Sequence, residues 1–146
     1  MKTFNWGIIG TGWIAHEMAD ALINHCDFII SNNEKDMSQA IMYNLDEALK
    51  DRLLLTPSRV EDMANAIRQI ASQSEPVGRI LDGWVTTTGL NIQKVAIPIG
   101  VIGIIYESRP NVTSDTAALC FKSGNVCVLK GGKEAEYSNK AIAVVL

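Results

Sequence analysis

The sequence predicts an α/β protein in which a helical first half precedes a strand-helix-strand unit. Helical patterns dominate up to about residue 75, and two apolar runs rich in β-branched residues follow, Val101 to Tyr106 and Val126 to Leu129. Such runs are typical of parallel strands that are covered on both faces. A helical pattern that stops at Gly124 lies between them, so the segment predicts a βαβ crossover.

Composition narrows the class of protein. The 146 residues are 47% hydrophobic and 20% charged, as in one soluble domain or part of a larger one. A net charge of -3 argues against nucleic-acid binding, and no apolar run approaches the ~20 residues that span a bilayer. The chain has no signal-peptide pattern, and its three cysteines are not in metal-ligand spacing. These features predict a cytoplasmic protein without a metal site.

The opening residues contain a candidate nucleotide-binding turn. Phe4 to Gly10 predicts a short strand, and apolar residues at helical spacing follow from Trp13 to Cys26. The turn itself, Gly10-Thr11-Gly12-Trp13-Ile14-Ala15, fits the phosphate-binding pattern G-x-G-x-x-A. A complete fold of that kind needs a second strand with an acid ~20 positions on, for which Asp27 to Asn32 and Glu34 are the candidates.

Helical patterns continue where a third strand would be needed. They begin near Asn33, Asp46 and Thr56, with only the short apolar segment Leu53 to Leu55 resembling a strand. Thr56-Pro57 is a strong helix start, since a capping hydroxyl precedes a proline in the first turn. One apolar stripe follows on this helix: Val60, Met63, Ala64, Ile67, Ile70 and Ala71.

The second half predicts strands and one crossover helix. Gly89 marks a turn before an extended segment in which residues 95, 97 and 99 are apolar, which predicts a strand that can form half of a hairpin. The crossover helix covers roughly Thr113 to Lys122. Lys140 to Leu146 becomes steadily more apolar and has no cap, so we expect an interrupted helix and a truncated domain.

Residues 1–22 resemble one family of oxidoreductases. Trp6-Gly7-Ile8-Ile9 together with the Gly10 to Ala15 turn is similar to the start of the glucose-fructose oxidoreductase/inositol dehydrogenase family. This resemblance implies an NAD(P)-dependent sugar-type oxidoreductase as one alternative. The other is that the glycines merely form a flexible turn before a helix. We expect residues 1–22 to be a foreign strand-turn-helix and residues 23–146 to be a different domain.

A second set of recognisable segments occurs in order along the chain: Asn33-Glu34-Lys35-Asp36, Asp51-Arg52-Leu53, Pro76-Val77-Gly78, Asp82-Gly83-Trp84, Pro98 to Thr113, Ser123-Gly124-Asn125 and Lys130-Gly131-Gly132. From about Asn33 onward, these segments resemble gamma-glutamyl phosphate reductase, a family similar in fold to the aldehyde dehydrogenases. The resemblance implies an incomplete aldehyde dehydrogenase-like fold. Its parts are a helical N-terminal region, an oligomerisation strand and the first βαβ unit of an NADP-binding domain.

The resemblance also implies an activity. The parent enzyme is an oxidoreductase of proline biosynthesis that uses NADPH to reduce glutamyl 5-phosphate to glutamate 5-semialdehyde, next to glutamate 5-kinase in the pathway. A homo-oligomer is expected. The family's catalytic cysteine is expected beyond Leu146, since Cys120 and Cys127 lie in apolar runs typical of a core. The chain alone is then inactive, and a non-catalytic folded fragment is the third alternative.

Site residues follow from the same resemblance. Asn111 matches the asparagine that stabilises the oxyanion, with capping of the next helix as its structural alternative. Arg109 is expected to bind the substrate's acyl phosphate or carboxylate, or else to form a structural ion pair. The expected cofactor-binding residues are Glu107, Ser108, Lys130, Gly131 and Gly132. For Lys130, a solvated surface lysine is the alternative.

Overall fold

The structure is a computed structural model that describes residues 11–146, with side chains from residue 14 onward. The predicted strand Phe4 to Gly10 lies outside the described residues. Within the candidate glycine turn, Thr11 to Ala15 belong to the first helix, α1 (Thr11–Asn24). None of the helices in this part of the chain is long and apolar enough to cross a membrane.

The second helix, α2 (Cys26–Met42), overturns one sequence-based candidate. Asp27 to Asn32 is helical, so it is not the second strand of a dinucleotide fold, and Glu34 is an exposed residue of the same helix. The reason is the spacing of the buried side chains, because Ile29, Asn33, Asp36 and Ala40 share one face at helical period. That face packs against the rest of the domain, and its burial favours the helix over a strand in this segment.

Two helices follow as predicted, and both are capped. Asp46 accepts a hydrogen bond from the Leu49 amide at 2.8 Å in front of α3 (Glu47–Leu53). Thr56 accepts one from the Arg59 amide at 3.2 Å in front of α4 (Pro57–Ser72). All six residues of the predicted apolar stripe on α4 are buried. The short strand expected at residues 53–55 is wrong, because residue 53 ends α3 and residue 54 caps it.

Two strands form the predicted hairpin. β1 (Ile80–Val85) pairs antiparallel with β2 (Asn91–Val95), and Gly89 in the connecting turn has a φ of 83°. The second strand ends earlier than predicted. Residue 96 still exchanges hydrogen bonds with the segment before β1, and Pro98, which lacks an amide hydrogen, cannot continue the ladder.

The predicted βαβ crossover is confirmed. β3 (Val101–Ile105) and β4 (Val126–Lys130) pair in parallel, connected by α5 (Asn111–Lys122). Gly124 follows the helix with a φ of 70°, a conformation that favours glycine. The expected burial on both faces is wrong for the described residues, since Val126 is 62% exposed and Ile105 is 83% exposed. The sheet has two strands, and α5 packs against it from one side.

The core lies among the helices rather than on the sheet. A 3-10 turn (Lys133–Ala135) leads into the last helix, α6 (Glu136–Val145), which packs against α2, α5 and α1. Buried side chains from α1, α4, α5 and α6 form one cluster, which includes Ala19, Leu22, Val60, Ala64, Ile67, Ala118 and Ile142. The helical region and the βαβ unit therefore share one core.

Candidate active site

The two parallel strands bring the predicted site residues to one edge of the sheet. Ile105 and Lys130 are register partners at the ends of β3 and β4, and the Tyr106 amide donates to the Lys130 carbonyl at 3.1 Å. Residues 107–109 follow one strand and residues 131–132 follow the other. In open α/β sheets, ligands bind beyond the carboxyl ends of parallel strands. The sequence-predicted residues thus lie on two neighbouring loops at that edge.

Ser108 is anchored inside the protein. It is buried, its φ is 36°, and both its amide and its hydroxyl donate to Glu134 Oε1, at 2.7 and 2.8 Å. Burial pushes the pKa of the Glu134 carboxyl upward, but its hydrogen bonds, including those from Ser108, outweigh burial and leave the pKa below the ordinary value. Glu134 thereby joins the loop after β3 to the turn after β4, while Glu107 stays exposed.

The two glycines after Lys130 sit against protein side chains. A Cβ at Gly131 would overlap the Asn139 amide and press on the Tyr106 ring, and one at Gly132 would overlap the Glu134 carboxylate. Asn139 is held by the Thr113 hydroxyl, which donates to its side-chain oxygen at 3.0 Å. A side chain at either glycine would therefore have to displace Asn139 or Glu134. Lys130 itself is exposed at the end of the strand.

Arg109 and Asn111 line a cleft of about 320 Å³ between the helical region and α5. Asn111 is the first residue of α5, and its Nδ2 donates to Asp115 Oδ2 at 3.1 Å. The capping alternative does not describe it, because Pro110 holds the cap position and no side chain bonds there. Arg109 is exposed and forms no ion pair with any residue from 14 to 146, so its structural alternative is also not seen.

The opposite wall of this cleft was missed by the sequence analysis. It comes from α3 and α4 and carries Arg52, Arg59 and Asp62. Arg59 is already committed, since it donates to Asp51 Oδ1 at 2.7 Å, to the Leu54 carbonyl at 2.9 Å and to the Asp51 carbonyl. In the sequence, the only indication of this wall was the charged face of α4, which lies opposite its apolar stripe. The packing of the helices is needed to show that this face borders the cleft.

The three cysteines do not form a reactive site in the described structure. Cys120 is buried, and burial first, then the neighbouring Cys127, raises the pKa of its thiol. Burial and the nearby Asp27 carboxylate likewise raise the pKa of Cys26. All three thiols are free, and none lines the cleft. Among the described residues, no cluster of His, Cys, Asp or Glu could hold a metal ion.

Comparison with known proteins finds close relatives of this chain. No family model matches the chain. A gamma-glutamyl phosphate reductase from Aliarcobacter butzleri is 72% identical over 142 residues, which is 97% of this chain and 34% of that protein. The chain is a relative of the gamma-glutamyl phosphate reductases. The reductase from Sulfurovum is 66% identical over 91% of the chain and 32% of its own length.

About a third of each of two solved reductases has the same fold as the chain. The crystal structure of the Thermotoga maritima reductase superimposes with a TM-score of 0.91 at 40% identity, over 97% of this chain and 34% of that one. The Saccharomyces cerevisiae reductase gives 0.88 at 34% identity, over 93% of this chain and 35% of that one. The chain thus spans about a third of the length of these reductases.

The predicted resemblance and fold class are confirmed by these relatives. The Aliarcobacter reductase aligns with 142 of the 146 residues, so its alignment also extends into residues 1–22. The division of the chain at residue 22 stays a prediction, and so do the roles of the site residues.

Proposed function

We propose that this chain provides part of the substrate and cofactor machinery of an NADPH-dependent gamma-glutamyl phosphate reductase, which forms glutamate 5-semialdehyde in proline biosynthesis. The observation that carries the proposal is the meeting of Arg109 and Asn111 in one cleft beside the strand ends, in a chain 72% identical to a reductase of that name. In the full enzyme, a thiolate displaces phosphate from the acyl carbon, and a hydride then reduces the resulting thioester. NADPH supplies that hydride when bound.

Asn111 is the proposed oxyanion donor. Attack on the acyl carbon places negative charge on the carbonyl oxygen, which preorganised donors stabilise. Asn111 has two Nδ2 protons and only one of them is used by Asp115, so the second can donate to the oxyanion. Its place at the start of α5 adds the positive end of a helix dipole.

Arg109 is the proposed substrate-binding residue. A planar guanidinium binds phosphate or carboxylate oxygens in pairs, and gamma-glutamyl phosphate carries both groups. Arg109 lines the cleft, is exposed and has no partner among residues 14–146, so it is free to bind an anion. Arg59 in the same cleft is already bonded to Asp51 and supports the wall instead.

Lys130 and its neighbours fit the cofactor. Lys130 presents an exposed ammonium at the end of β4, and Lys133 presents a second one three residues later. Two cations close to a loop at a strand end suit the phosphates of NADPH, including the extra phosphate that distinguishes it from NADH. Ser108 and Gly132 shape the loop through Glu134, while Glu107 remains exposed beside it.

The hairpin suits a role in assembly. Both strands are exposed along almost their whole length, with Trp84 at 52% and Val85 at 67% exposure. Exposed apolar strands of this kind favour pairing with a second copy, so we propose a homo-oligomer. The three free thiols fit the reducing cytoplasm. The sugar-type alternative is not proposed, because α2 occupies the segment that its second strand requires.

A chimera tests this function directly. The segment of the Aliarcobacter reductase that aligns with this chain is replaced by the chain, and NADPH oxidation is followed with ATP, glutamate and glutamate 5-kinase as the source of acyl phosphate. We expect reductase activity, and a loss of about 100-fold or more in kcat for Asn111→Ala, as for other oxyanion donors. A folded, cofactor-binding chimera without activity contradicts the proposal.

A further inference from the structure

Asn111 has a fixed partner on its own helix. Asp115 lies one turn further along α5, and its Oδ2 accepts the hydrogen bond from Asn111 Nδ2 at 3.1 Å. Residues four apart share one face of a helix, and both of these side chains line the cleft that also holds Arg109. The carboxyl group therefore touches the amide to which the oxyanion role is assigned.

A carboxyl group at position 115 is unfavourable for stability if the side chain has only a structural role. Its Oδ1 is buried and takes no hydrogen bond from any residue between 14 and 146. Burial raises the pKa of this carboxyl, and the hydrogen bond from Asn111 only partly offsets the rise. A buried carboxyl oxygen without a partner is costly and calls for a functional explanation. An apolar residue would fill the same space without that cost.

The chemistry of the two groups supplies the explanation. An ionised carboxylate only accepts hydrogen bonds, whereas the asparagine amide has a donor end and an acceptor end of nearly the same shape. Facing Asp115, the amide must present Nδ2, because its own oxygen would be repelled. The bond leaves the second Nδ2 proton available and prevents the amide from turning over.

We propose that Asp115 is the positioning residue of Asn111, holding the side-chain amide so that an N–H rather than the carbonyl oxygen serves the cleft. This inference rests on the oxyanion role proposed for Asn111. In this proposal, Asp115 acts on the reaction through the orientation of its neighbour.

The side-chain amide of Asn111 is a direct probe of this contact. In the 146-residue chain, its two Nδ2 protons are assigned by NMR, and their exchange with water is measured. Asp115→Leu, which removes the acceptor, is expected to speed exchange of the bonded proton roughly fivefold to tenfold, as loss of one hydrogen bond implies. Asp115→Asn keeps an acceptor oxygen and should retain most of the protection.

Matched variants keep the result interpretable. Asp62→Asn changes another acid of the same cleft and should leave the Asn111 signals unchanged. Asp115→Ala provides a second acceptor-free variant with a smaller side chain, and backbone spectra verify the fold of each. Unchanged Asn111 exchange in a folded Asp115→Leu or Asp115→Ala chain overturns the inference, whatever the activity of the protein.

The chimeric reductase then separates this inference from the proposed function. Asp115→Leu should lower kcat about tenfold with little change in KM, and Asp115→Asn should recover most of that loss, because only orientation is disturbed. An active chimera whose kcat is unaffected by Asp115→Leu overturns the positioning role alone. A folded chimera that is inactive before any substitution overturns the reductase proposal, while the NMR result still decides the contact between the two side chains.

Discussion

The carboxylate of Asp36 on α2 binds the first turn of α6 through Ser138. Asp36 Oδ2 accepts from the Ser138 amide at 2.7 Å and from its hydroxyl at 2.6 Å, and both residues are fully buried. Its Oδ1 accepts from the Tyr137 amide at 3.1 Å. A side chain from a helix distant in sequence thus accepts hydrogen bonds from amides at the start of α6. The residue at the N-cap of α6 makes no such bond with its side chain.

Replacing Asp36 should destabilise the whole domain. Asp36→Ala leaves amides of α6 and the Ser138 hydroxyl buried without an acceptor, so we expect the free energy of unfolding to fall by about 3 kcal/mol. Urea denaturation measures the change. Glu34→Ala, on the exposed face of the same helix, should stay within about 0.5 kcal/mol of the parent chain. Equal effects of the two variants would show that Asp36 does not hold α6.

Gly131 should not tolerate a methyl group. Gly131→Ala forces the new Cβ against Asn139 and Tyr106, and overpacking of this kind costs about 1–3 kcal/mol. Gly103→Ala in β3 is the matched control, since no atom lies within 4 Å of its Cβ position. Thermal unfolding of both variants measures the difference. A Gly131→Ala chain as stable as the control would mean that the loop relaxes freely.

Glu134 should make stability depend on pH in the acid range. Its pKa in the folded chain lies below the ordinary value of 4.5, so the stabilisation is present above that value and is lost as the pH falls through the folded pKa. Glu134→Gln removes this contribution. We therefore expect the gap in unfolding free energy between parent and variant to be constant near neutral pH and to shrink below 4.5. A gap that widens in acid would contradict the assigned sign.

Cys120 should react slowly in the native chain. A buried thiol with a raised pKa holds little thiolate near neutral pH, and the thiolate is the reactive form. Labelling with an aromatic disulfide, followed by peptide mass analysis, should modify Cys120 well after half-buried Cys127 and at full rate only on unfolding. The chain alone should likewise leave NADPH oxidation at background. Rapid labelling of Cys120 together with turnover lost in Cys120→Ser would identify it as the nucleophile.

Lys130 should favour NADPH over NADH. Removing one cation from the phosphate-binding loop in Lys130→Ala is expected to weaken NADPH binding about fivefold to tenfold and NADH binding less. Lys140→Ala, which removes an exposed lysine already paired with Glu136, is the control. Nicotinamide fluorescence measures both affinities. Binding that is lost in Gly12→Val but unchanged in Lys130→Ala would instead support the sugar-type oxidoreductase.

Local signals in the sequence were sufficient for the starts of α3 and α4 and for the crossover, whereas the helix expected from Asn33 begins at Cys26. Asp46 and Thr56 cap α3 and α4 because a capping side chain needs only the amides of the next turn. The glycine at 124 and the apolar runs around it likewise specify a βαβ unit by neighbours in sequence. The prediction of a second strand at Asp27 to Asn32 was wrong. The β-branched residues in this short segment favoured a strand, whereas the helical period of the buried residues is visible only over the full length of α2.

The sequence predicted which residues belong to the candidate site but not how they are arranged in space. The resemblance selected Arg109, Asn111 and Lys130, and parallel pairing explains why the loops after β3 and β4 adjoin. The wall with Arg52 and Asp62 and the partnership of Asn111 with Asp115 came from the structure. Side-chain partners in a cleft depend on how helices pack, which no local spacing specifies.

The sequence by itself thus determined the α/β class, the helices that begin after Asp46 and Thr56, the crossover and the resemblance to the reductases. Tertiary structure alone decided that Asn33 and Asp36 are core residues, since Asn33 bonds the Leu53 carbonyl and Leu55 amide, and Asp36 bonds Ser138, 102 positions away. From the sequence alone, two polar residues on a helix are expected to face solvent. Their burial is stable only because the folded chain brings distant backbone groups to satisfy them, and such satisfaction is a property of the packed domain.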